Sequence, residues 1–93
     1  MEWRFNESKN VAVFTTRYVV NDKITITYVS HDIDDGAWQF HSDDDANMED
    51  AVIVSLEEIV QINPLIGELY DLPEGWCAYR EDKLSSWKRS KKN

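Results

Sequence analysis

The apolar pattern of this chain predicts an α+β domain: an antiparallel β-sheet with one short helical segment, about residues 56–70, packed on one face. Three observations carry that expectation. β-branched and aromatic residues alternate with polar ones from Val11 to His41. One stretch, Ser55 to Leu69, switches to helical spacing. Clusters of Asn, Asp, Pro and Gly separate the apolar runs, as turns require. The 93 residues suit one domain, residues 1–87, followed by a basic, disordered tail at 88–93.

Taken in order, the alternation is cleanest in Ile24-Thr25-Ile26-Thr27-Tyr28-Val29, which reads as strand. Two hairpins are expected here. Asn21-Asp22 separates Val19-Val20 from Ile24, and Asp34-Asp35-Gly36 separates Val29 from Trp38; these residue types tolerate the positive φ of tight turns. Trp38 and Phe40 share the core side of their strand, and Gln39 and His41 the other. Ala51-Val52-Ile53-Val54 is a continuous apolar run, consistent with a buried strand. Ser55 and Glu58 then form a capping box, with Val54 and Ile59 at the positions of a hydrophobic staple. Leu56, Ile59, Val60 and Asn63 lie on one helical face. Asn63-Pro64 resets the axis and starts a second short helix carrying Leu65, Ile66 and Leu69. Leu72-Pro73-Glu74-Gly75 is a turn, and Trp76-Cys77-Ala78-Tyr79-Arg80 a closing strand. Trp38 and Trp76 read as internal, and Trp3 and Trp87 as closing the core of a domain with little other apolar mass.

Charge is segregated along the chain. Between Lys23 and Arg80 there is no lysine or arginine but there are thirteen carboxylates, whereas five of the ten basic residues crowd the last eleven positions. The net charge of −8 disfavours nucleic acid, whose affinity rests on cationic side chains. No apolar run is long enough to span a membrane, and the first residues lack the layout of a secretion signal. The single Cys77 cannot form an internal disulfide, in keeping with a reducing compartment, so a cytoplasmic location is expected. The leading functional expectation is a non-enzymatic binding module whose acidic face, Asp32, Asp34, Asp35, Asp43, Asp44, Asp45, Glu49 and Asp50, continued by Glu57 and Glu58, captures a basic protein. The alternative is a self-associating domain, the basic tail of one copy reaching the acidic face of another.

Candidate chemistry is sparse. Asp43, Asp45 and Asn47 match positions 1, 3 and 5 of a calcium loop, but Met48 stands where glycine is needed and Val54 where a bidentate glutamate is needed. His31 and His41, with the intervening aspartates, could supply metal ligands or serve a small metal-binding hydrolase if the hairpin register brings them together. A two-residue turn sets His31 opposite Phe40, and a three-residue loop sets it opposite His41. Cys77 lacks a neighbouring base and reads as a packed apolar side chain. With three glycines, the chain holds no nucleotide-binding loop and no nucleophile elbow, and no cofactor is implied.

Three stretches together resemble a known family: His31-Asp32-Ile33-Asp34-Asp35-Gly36-Ala37-Trp38-Gln39-Phe40, Val54-Ser55-Leu56-Glu57-Glu58-Ile59-Val60, and Asp71-Leu72-Pro73-Glu74-Gly75-Trp76-Cys77-Ala78-Tyr79-Arg80 ahead of Trp87. The family is one of small uncharacterised bacterial domains, close to those grouped as immunity proteins of bacterial toxin systems. The resemblance implies a cytosolic, stand-alone α+β domain. It brings no established activity and no catalytic residue.

Overall fold

The computed structural model describes residues 3–42 and 48–91. Six strands, β1 (Ala12–Thr16), β2 (Tyr28–His31), β3 (Trp38–His41), β4 (Ala51–Ser55), β5 (Trp76–Tyr79) and β6 (Lys88–Lys91), form one sheet in the order β4-β1-β3-β2-β5-β6. Neighbours run antiparallel except β1 and β3, which are parallel with Phe14 beside Gln39. Helix α1 (Arg17–Asp22), helix α2 (Leu56–Ile62) and 3-10 turns at Met48–Asp50 and Pro64–Leu69 complete the elements. The result is a compact α+β domain with a mixed, mostly antiparallel sheet.

Alternation along the strands decides what is buried. Val13, Val29, Trp38, Phe40 and Ala78 project into a core shared with Leu56, Ile59, Val60, Ile66, Leu69 and Leu72. Trp3, Trp76 and Trp87 are partly buried and pack against that core. The helical segment follows the expected plan. The Ser55 hydroxyl accepts from the Glu58 amide at 3.1 Å, and α2 stops at Asn63, ahead of Pro64, which opens the 3-10 turn. Glycine is required at the next corner, where the Trp76 amide donates to Pro73 O at 3.1 Å and Gly75 takes φ +85°.

Several expectations are corrected. The first hairpin is replaced by α1: Thr16 caps it through a 3.4 Å contact from the Val19 amide to its hydroxyl, and Lys23 ends it in the left-handed region at φ 57°. Val19 is fully buried there, and this burial overrides its preference for strand. Ile24 to Thr27 is not part of β2, although the Thr27 amide donates to His41 O and its carbonyl accepts from the Arg80 amide. The second hairpin forms as expected but with a longer loop, so His31 pairs with Trp38 and Tyr28 with His41. β4 is an edge strand rather than a buried one, leaving Ile53 63% exposed. Residues 88–91, expected within a disordered tail, are strand β6, paired with β5 along its whole length. Arg89 fixes it further through Asp71 at 2.8 Å and the Glu68 carbonyl at 3.0 Å.

Candidate functional site

The acidic corner is built by the β2–β3 loop and the turn before β5. Gly75 donates to His31 O at 2.7 Å, which draws Glu74 against the loop. Gly36, at φ +71°, leaves room for this approach, since a Cβ there would lie 2.8 Å from Glu74 Oε2. Asp32, Ile33, Asp34, Asp35, Glu74, Gly75 and Lys91 line a concavity of about 430 Å³. Asp32 accepts from Gln39 Nε2 at 2.7 Å, and Asp35 from the Ala37 amide at 2.9 Å. Asp34, Asp35 and Glu74 are exposed, and among the described residues no lysine or arginine forms an ion pair with them.

Register divides the acidic face expected from the sequence. β1 runs with β3, so Ala12 lies at the hairpin-loop end of the sheet and Thr16 at the other. Ala51 pairs with Thr16, which puts Glu49 and Asp50 at the end opposite Asp34 and Asp35. Asp50 is also buried, 2.9 Å from Arg17 Nε, so it offers nothing to a partner. Glu49 is exposed, and Glu57 lies 4.0 Å from Lys9. Asp43, Asp44 and Asp45, and the calcium-loop positions they share with Asn47, lie outside the described residues.

His31 and His41 face opposite sides of the sheet and cannot share a metal ion. His31 points inward with Trp38, its ring stacked on the indole at 4.0 Å between centroids. Its Nδ1 lies 2.8 Å from Leu72 O; a carbonyl only accepts, so Nδ1 carries the proton. Nε2 is 3.5 Å from Glu7 Oε2, the same oxygen that accepts from Trp38 Nε1 at 2.9 Å. The Trp38–Glu7 bond ties the N-terminal segment to the sheet, whereas His31 Nε2 has no hydrogen-bond partner among the described residues. His41 faces outward and contacts Gln39 Oε1 at 3.0 Å. Among the described residues no three His, Cys, Asp or Glu side chains converge as a metal site.

Cys77 is half-buried on that outward side, where it neighbours Tyr28. Burial first, and then this contact, push the Tyr28 hydroxyl above its ordinary value. The residue most easily overlooked in the sequence is Arg80, 4% exposed. Its Nε donates to Ile26 O at 3.0 Å and its guanidinium lies 4.3 Å over the Trp87 ring. Burial lowers its pKa, opposed by Glu68 and Asp82. The signal was present: Arg80 shares strand parity with Trp76 and Ala78.

No family model, no curated protein and no solved structure matches this chain. Among the described residues no helix is long and apolar enough to cross a membrane.

Proposed function

We propose that the domain is a non-enzymatic protein-binding module of the immunity-protein-like kind that the sequence resembles, and that its acidic hairpin corner meets a basic surface on a partner protein. The observation that carries this reading is the exposed group Asp34, Asp35 and Glu74, in no ion pair among the described residues, around an open concavity that Lys91 also lines. Such a cluster raises the rate of encounter with a cationic surface and selects against acidic ones. Of the acidic face inferred from the sequence, this reading rests on the described carboxylates of the corner alone, with Asp43, Asp44 and Asp45 outside the described residues. Tail-mediated self-association has less to draw on, because residues 88–91 are built into the sheet and Arg89 is already paired.

The test is capture from a bacterial lysate at low salt, comparing the wild type with the variant Asp34→Asn, Asp35→Asn, Glu74→Gln. Basic proteins retained by the wild type and lost by the variant are the expected outcome. An unchanged set of captured proteins refutes the corner as the contact surface.

A further inference from the structure

The two edges of the sheet are built differently. β6 carries Lys88, Arg89 and Lys91, all exposed, and a lysine-rich edge resists pairing with another chain. β4 reads Ala-Val-Ile-Val-Ser, with no charge and no proline. Its outward backbone groups can be identified. The Leu56 amide donates to Val11 O at 3.0 Å, and bonded pairs alternate along an antiparallel ladder, so Val52 and Val54 turn their amides toward β1. Ala51 and Ile53 turn theirs away, and among the described residues β4 pairs with β1 alone. Beside this open edge, Ile53 (63% exposed) and its cross-strand neighbour Phe14 (38%) form an apolar step on the outer face.

We infer that β4 is a docking edge that accepts an extended segment of another protein as a seventh strand, a segment with alternating apolar residues and lysine or arginine at its ends. The apolar residues pack on Ile53 and Phe14, and main-chain hydrogen bonds to Ala51 and Ile53 hold the strand. The ends of the edge decide the charge of the occupant. Glu49 lies just before β4, and Glu57 and Glu58 just after it. A second copy paired antiparallel about Ile53 brings Glu49, in the turn before β4, toward Glu57 and Glu58, in the first turn of α2, at both ends of the shared ladder, and this meeting of like charges opposes self-pairing even though Glu57 lies 4.0 Å from Lys9. A basic-flanked strand replaces both repulsions with attractions. The edge is distinct from the hairpin corner, so the inference stands or falls independently of it.

The probe is a short peptide alternating threonine and valine between terminal lysines, read by amide exchange and by titration calorimetry on the whole chain. Slowed exchange at Ala51 and Ile53, with binding roughly tenfold weaker or worse for a glutamate-ended peptide, supports the inference. Ile53→Pro removes an outward amide together with the exposed side chain and Ile53→Lys reproduces a guarded edge, so each abolishes binding, and a retained cooperative melting transition shows that the ladder to β1 is intact. The pair Asp34→Asn, Asp35→Asn leaves peptide binding intact. Unchanged exchange, equal affinity for both peptides, amides already protected in the free protein, or a doubled mass that Ile53→Pro abolishes would each overturn it.

Discussion

Replacing Arg80 with methionine tests whether the closing strand is held by the guanidinium or only by apolar packing. Methionine keeps much of the stem that Arg80 lays through the interior, but it removes the 3.0 Å donation to Ile26 O, the longer 3.4 Å contact to Lys83 O and the 4.3 Å stack on Trp87. A buried hydrogen bond from a charged donor contributes about 1.5–3 kcal/mol, and a partly desolvated cation–π contact about 1–2 kcal/mol. Against this, removing a buried charge relieves its desolvation, the same effect that lowers the Arg80 pKa, and part of the loss is recovered. Among the described residues Arg80 Nη2 and Trp87 Nε1 have no hydrogen-bond partner, which further limits what the group contributes. The net expectation is a loss of about 2 kcal/mol, or roughly 10–15 °C in Tm for a domain of this size. Urea unfolding followed by tryptophan fluorescence reads it, with the slope unchanged. Arg80→Lys keeps the charge but neither the fork nor the flat stack, so it recovers little of the loss. A methionine variant within about 0.5 kcal/mol of wild type, well under the contribution of one charged hydrogen bond, or full recovery by lysine, refutes the reasoning.

Two further outcomes follow from the same interior. Glu7→Ala strands the buried Trp38 Nε1 donor and costs about 1–2 kcal/mol by urea unfolding, whereas Glu7→Gln keeps an acceptor for that indole and loses less; equal losses would show that the carboxylate, not the acceptor, matters. Asp82 is held below the ordinary aspartate value of 3.8, first by the Leu84 amide and then by the Ser85 hydroxyl. A depressed folded pKa gives stabilisation that is present above 3.8 and is lost as pH falls through the depressed value, so the Leu84 and Ser85 amides should begin to exchange freely only under that acid condition. Protection that fades above the ordinary value contradicts the assignment.

What could be read from the sequence was local. The Ser55 cap, the reset at Pro64, the turn around Asp35 and Gly36, and the inward parity of Trp38 and Phe40 depend on residues within a few positions of one another. The misreadings concern partners distant in the chain. Val19 is helical because a core assembled from remote strands buries it, and β1 joins β3 in parallel although neither stretch announces the other. β6 has no apolar alternation at all; backbone pairing to β5 and the Arg89–Asp71 contact hold it, and a count of lysines reads such a segment as a tail. Charge misleads for the same reason. Thirteen carboxylates in one interval look like one face, but a strand that reverses direction carries Glu49 and Asp50 to the far end of the sheet from Asp34 and Asp35, and burial spends Asp50 on Arg17. An acidic interval therefore specifies an acidic surface only after register is known, and among the described residues register separates Asp34 and Asp35, at the hairpin end of the sheet, from Glu49 and Asp50 at the other.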